Sequence, residues 1–292
     1  MGESLTFLAE NMYLWPVRRR CRRRAVVGCA FGRLPKRPCW ALARYDNFIT
    51  SREGVSYTQS GSSNTIRKLQ RPPKLPAELL KVSAGAPDSA AIHYAAEFIK
   101  RGQVIGVPTD TFYGLAADPF NLAAVEEIYR VKGRPENRAL PILVDSVKQA
   151  ALLGRELPPN FFKLAESFWP GALTIVVEAA HSLPLKVTAN KGRVALRWPN
   201  SKVACAIIEQ LGGPITGTSA NVSGFPSCSN AQELAKQLGE KLPLILDSGD
   251  TGASASSTIV TLDGEEWRIV REGQISEEAI AKALADSQSA TS

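Results

Sequence analysis

The stretch 88-DSAAIHYAAEFIKRGQVIGVPTDTFYGL-115 contains both of the periods from which the chain is built. Its first half reads as a helix: Asp88 or Ser89 caps it, apolar residues recur at helical spacing, and Gly102 ends it. Its second half reads as a buried strand over 103–108, apolar and β-branched, stopped by Pro108. Thr109, Asp110 and Thr111 follow, then aromatics and Gly114. A strand that ends in hydroxyls, a carboxylate and a glycine turn reads as the edge of a pocket.

The same alternation runs on toward the C-terminus. Helices over 121–133, 158–171, 200–212 and 230–242, with Asn121 and Asn200 as caps, are interleaved with strands over 140–145, 172–180, 193–199, 214–220, 243–249, 257–264 and 266–273. A last helix starts at Ser276. No linker and no internal repeat interrupts them. The pattern, mixed through about 200 residues, predicts one α/β domain. Residues 1–79 are expected to be a basic extension without a fold of its own, and 286–292 a flexible tail.

Charge is unevenly spread. The 292-residue chain has a net charge of +7, but residues 1–72 carry 14 Lys and Arg against 4 Asp and Glu, and 73–292 carry 21 against 24. The basicity belongs to the leader with its 18-RRRCRRR-24 run, so global charge gives no nucleic-acid argument for the body. Five widely spaced cysteines, 21, 29, 39, 205 and 228, form no C-x-x-C pair, and there are two histidines. That describes neither a disulfide framework nor a zinc site and suits a reducing compartment. No apolar run is long enough to span a membrane. A cytoplasmic location is expected, or a mitochondrial one if the arginine-rich leader is a transit peptide.

Five stretches place polar or basic residues at element ends. The first is 108-PTDT-111. In 130-RVKGRPENRALPIL-143, Lys132, Arg134 and Arg138 gather within seven residues at a helix end and in a proline-broken loop. They suit a polyphosphate, or they complement the helix dipole. The run 216-TGTSANVSG-224 is dense in small hydroxyls and glycine; it can cradle phosphate oxygens, or be an ordinary turn. It is not a Walker loop. Arg197 in 193-RVALRWP-199, with Arg193 on the same face, is costly to bury unless it meets a structural carboxylate or a ligand's. Ser257 and Thr258 open a strand and Arg271 closes another. His93 and His181 lie outside these motifs, and nothing supplies an obvious nucleophile. Hydroxyls, amides and cations of this kind position reactants and stabilise charge, as in transfer through phosphate chemistry without a covalent enzyme intermediate.

Taken in order, PTDTFYGL, KGRP followed by Arg138, WPGALT (169–174), VALRWP, TSANVSG, STIV and VREG resemble the YrdC family of L-threonylcarbamoyladenylate synthases, in its single-domain form. The resemblance covers roughly residues 80–285. It implies a nucleotidyltransferase that condenses L-threonine, bicarbonate or CO2, and ATP accompanied by Mg2+, to L-threonylcarbamoyl-AMP and pyrophosphate. It also implies a single α/β domain over 80–285, an open twisted sheet with helices packed on it and a concave, positively charged ligand cleft. The product would pass to a transferase complex that makes t6A at position 37 of tRNA. The resemblance assigns Thr111, Arg197 and Ser257 to L-threonine. It assigns Lys132 and Arg134 to catalysis at the ATP phosphates, with no metal ligand among the side chains. Arg138, Gly217, Ser219, Asn221, Ser227 and Arg271 fall at further ATP contacts. Ala139 stands where many members have proline, and Leu143 where they have histidine. Two other readings stay open: a non-catalytic tRNA or double-stranded RNA binding factor that uses the cations on phosphates, and a carbamoyl-transfer maturation factor.

Overall fold

The computed structural model describes residues 76–133 and 138–285. The expectations for the leader, the tail and Arg134 therefore lie outside the described residues, apart from the strand at 78–81 noted below. The elements run in order as β1 (Glu78–Lys81), α1 (Ser89–Lys100), β2 (Ile105–Val107), β3 (Gly114–Ala116), α2 (Leu122–Lys132) and β4 (Ile142–Leu143). Next come α3 (Val147–Leu153), α4 (Pro159–Phe168), β5 (Leu173–Glu178), β6 (Arg193–Arg197), α5 (Lys202–Leu211), β7 (Ile215–Thr216) and β8 (Thr218–Ser219). The chain closes with α6 (Ala231–Leu238), β9 (Leu244–Asp247), β10 (Thr258–Asp263), β11 (Glu266–Arg271) and α7 (Glu277–Ala285).

Side-chain caps start the helices. The Asp88 carboxylate accepts from Ala90 N–H at 2.6 Å, and the Asn121 amide oxygen from Ala123 and Ala124. Ser201, not Asn200, caps α5: its hydroxyl accepts from Ala204 N–H at 3.3 Å. Gly133 and Gly212 end α2 and α5 in the left-handed conformation that glycine adopts without strain.

Two sheets form. One has the order β1-β9-β2-β3-β8, the other β11-β10-β5-β6-β4-β7. The expected strand over 214–220 is two short strands broken at Gly217, because the chain there leaves one sheet for the other. Ile215 and Thr216 pair with β4, and Thr218 and Ser219 pair with β3. The crossing is tight: a β-carbon on Gly217 would lie 2.3 Å from Leu143 Cγ. Thr216 locks the crossing. Its hydroxyl accepts from Ala117 N–H at 3.0 Å and donates to Leu115 C=O at 3.0 Å.

Three elements escaped the sequence reading. They are β1, which puts Glu78 and Leu79 in a strand rather than in the extension, together with β3 and α3. They are too short for a period to register. Tyr113, Leu115, Ile128, Ile142, Phe161, Leu173 and Ile175 anchor the larger of two buried apolar clusters. The second, between α1, α5 and the 105–107 strand, holds Leu143.

Gly273 approaches backbone closely: a β-carbon there would lie 2.3 Å from Ser256 O. Gly85 has open space and ordinary φ. Gly273→Ala is expected to destabilise the fold by roughly 1–3 kcal/mol in urea titration, with Gly85→Ala near wild type.

Candidate active site

Four segments meet at Tyr113, whose ring is fully buried. Its N–H donates to Cys228 O at 2.9 Å, and its C=O accepts from Ala220 N–H at 2.8 Å. Its hydroxyl donates to Gly249 O at 2.8 Å and accepts from Ser248 N–H at 3.1 Å. Burial raises the phenol above its ordinary value. One residue, through its backbone and its hydroxyl, thus fastens the 109–113 turn to the 219–221 turn, to the segment with Ser227, and to the loop after β9.

Arg197 closes β6 beside this knot, 6% exposed. Its Nε donates to Gly171 O at 2.9 Å, one Nη to the Thr111 hydroxyl at 2.9 Å, and the other to Asp110 Oδ1 at 2.7 Å. The ion-pair reading of this arginine is realised, with a partner from inside PTDT to which sequence reasoning gave no role. The signal was available, since a buried guanidinium demands a nearby carboxylate. Burial pushes Arg197 below its ordinary value, and Asp110 works the other way through charge and hydrogen bond. Arg193, at the opposite end of β6, donates to Val176 O at 3.4 Å, to the Thr261 hydroxyl at 3.0 Å and to Leu262 O, away from the knot.

The WPGALT segment carries Arg197 toward Ser257. Gly171 supplies the carbonyl for Arg197, and the Thr174 and Ser257 hydroxyls lie 2.9 Å apart. Arg271 donates to Ser257 O at 2.7 Å and to the Ser257 hydroxyl at 3.1 Å. Burial, and then the like charge of Arg197, lower Arg271. Arg271 also lines a cleft of about 480 Å3 along β11.

Lys132 ends α2 nearly buried, 3% exposed. Its ammonium donates to Ser219 O, to Asn221 O at 3.0 Å and to Asn221 Oδ1 at 3.1 Å. The Ser219 hydroxyl donates to the same Oδ1 at 2.7 Å. Lys132 is thus seated under the 219–221 turn rather than standing free, and its charge acts through protein instead of water. Gly217 sits two residues before that turn. Ser227 is half-buried and precedes Cys228, whose thiol burial pushes up to about 11. Arg138 is exposed, and among the described residues its carbonyl is tied in by the Tyr129 hydroxyl at 2.9 Å. The structure thus gathers Thr111, Arg197, Ser257 and Arg271 on one side, and Lys132, Ser219 and Asn221 on the other. The two sides are joined by the Gly114–Ser219 register.

The family model for Sua5, YciO and YrdC proteins, described as Telomere recombination, matches residues 97–273. The chain belongs to the Sua5/YciO/YrdC family. It is similar to a Pyrococcus abyssi protein named threonylcarbamoyl-AMP synthase, 36% identical over 197 residues, which cover 67% of this chain and 57% of that one. The family also includes a Rattus norvegicus threonylcarbamoyl-AMP synthase, 31% identical over 258 residues, covering 81% and 90%. The fold agrees with the structure of Pyrococcus abyssi Sua5 complexed with L-threonine. That match has a TM-score of 0.69 and 33% identity, and covers 72% of this chain and 61% of that one. The chain thus spans little more than half of this Sua5/YciO/YrdC relative's length.

Asp110→Ala strips the buried Arg197 of its counter-charge. Urea unfolding is expected to show a loss of roughly 3 kcal/mol or more, with a smaller loss in Asp110→Asn, which keeps the acceptor oxygen.

Proposed function

We propose that this chain is an L-threonylcarbamoyladenylate synthase. The observation that carries the reading is the buried fork of Arg197 beside the Thr111 hydroxyl, one strand pairing away from a lysine-backed turn of small hydroxyls. A guanidinium held in low dielectric pairs strongly with a ligand carboxylate. Arg197, Thr111 and Ser257 would hold L-threonine. The 217–221 segment, Lys132 and Arg271 would face ATP, with Arg134, Arg138 and Ser227 further along the phosphates. Together they would give the cleft its positive charge. That the fold family includes proteins named for this synthesis, one of them complexed with L-threonine, supports the assignment.

In the reaction, the threonine amine attacks CO2 or a bicarbonate-derived species to form a carbamate. A carbamate oxygen then attacks the α-phosphorus of ATP and pyrophosphate leaves. The products are L-threonylcarbamoyl-AMP, pyrophosphate and, from bicarbonate, water. This chain's residues fix the carboxylate, aim the amine, and offset charge on the phosphates. Among the described residues no three of His, Cys, Asp and Glu gather as a metal site. Mg2+ would arrive with ATP and would supply charge neutralisation at its phosphates. A transferase complex acting on tRNA would consume the adenylate.

The test is pyrophosphate release from ATP and bicarbonate, with and without L-threonine, joined to mass spectrometry of the nucleotides. Threonine-dependent release with a threonylcarbamoyl-AMP mass is expected. Lys132→Met, which keeps the buried bulk, and Arg134→Ala are each expected to lose on the order of 10²–10³ in rate, with circular dichroism unchanged. Wild-type protein that releases pyrophosphate regardless of threonine would overturn the reading and favour RNA binding.

A further inference from the structure

The PTDT turn contains a chain of hydroxyls whose direction can be worked out. Thr109 Oγ1 donates to Phe112 O at 2.7 Å. A carbonyl only accepts, so the single proton of Thr109 is committed there. Thr109 Oγ1 also accepts from Thr111 N–H at 3.1 Å and lies 3.1 Å from Thr111 Oγ1. With Thr109's proton already spent, that contact is a donation from Thr111 to Thr109. Thr111 Oγ1 in turn accepts from Arg197 at 2.9 Å. The chain therefore runs one way, from Arg197 through Thr111 and Thr109 to Phe112 O.

The consequence falls on Thr111, 4% exposed. A hydroxyl has one proton and two lone pairs. The proton and one lone pair are taken, so what Thr111 offers a ligand is an acceptor. It cannot donate to a carboxylate, and it cannot donate to the lone pair of an amine.

We propose that Thr109 is a positioning residue that sets the polarity of Thr111, so that Thr111 accepts an N–H from the substrate's amine. This rests on the synthase reading. An amine held through its N–H keeps its nitrogen lone pair free to attack carbon. An amine held by a donated O–H would have that lone pair occupied and its nucleophilicity quenched. The turn thus selects the reactive hydrogen-bonding mode, while the carboxylate goes to the guanidinium.

Thr109→Val keeps the shape and removes the hydroxyl; Thr109→Ser keeps the hydroxyl. With Thr109→Val, the Thr111 proton is released and can turn toward the amine. The expected result is a fall in kcat of roughly tenfold or more, with the KM for ATP unchanged and wild-type behaviour restored in Thr109→Ser. L-2-aminobutyrate, which has the amine but no β-hydroxyl, separates the two donors of threonine. An equal fold-loss in Thr109→Val with this substrate supports contact with the amine. A loss seen with threonine alone overturns it in favour of the β-hydroxyl. A wild-type kcat in Thr109→Val overturns the polarity argument itself. If the wild-type enzyme shows no threonine-dependent pyrophosphate, the synthase reading fails. The turn is then read by calorimetry with L-threonine, where equal affinity of Thr109→Val and wild type overturns the role of Thr109 in ligand binding.

Discussion

A buried positive charge organises this molecule. Arg197 sits at the end of an inner strand, nearly free of solvent, and the penalty for placing it there is met by two segments distant in sequence. Asp110 brings the counter-charge, Thr111 a hydroxyl, and Gly171 a carbonyl. Each must be in place for the others to be satisfied. The turn after β2, the loop before β5 and the end of β6 are therefore positioned together. The register of β4 against β6, with Val144 N–H donating to Arg197 O at 2.9 Å, holds the arginine's backbone from the other side.

The two halves of the site are joined by backbone rather than by charge. The strand pair Gly114–Ser219 and the Tyr113 contacts bring the PTDT turn against the lysine-backed turn. On the synthase reading, two neighbouring substrates would be held with little freedom left to lose on reaction, which suits a condensation between them. Lys132 contributes by shaping the turn it supports as well as by its charge.

Much of this was legible in the sequence, and what was not has a physical cause. The long amphipathic segments, α1, α2, α4, α5 and α6, announce themselves because a buried stripe repeats over several turns. Strands of two or three residues carry no period, so β3, β7 and β8 could not be resolved, nor the break between the last two at Gly217. Arg197 stood out because an arginine among apolar residues has few affordable environments. Asp110 did not, because a carboxylate in a polar turn is ordinary until its partner's position in space is known. Lys132 was expected to face ATP phosphates, and its ammonium is also packed under a turn. Sequence reports its charge but not the carbonyls that gather around it.

The parallel pairing of Glu78–Lys81 with Leu244–Asp247 has a bearing on how the chain comes to be folded. The five-stranded sheet takes its outer strand from the start of the described domain and the neighbouring strand from near its end. During synthesis, the first strand leaves the ribosome long before its partner exists. A nascent chain therefore spends most of translation with this pairing unmade, and the sheet is completed only after most of the domain has been made.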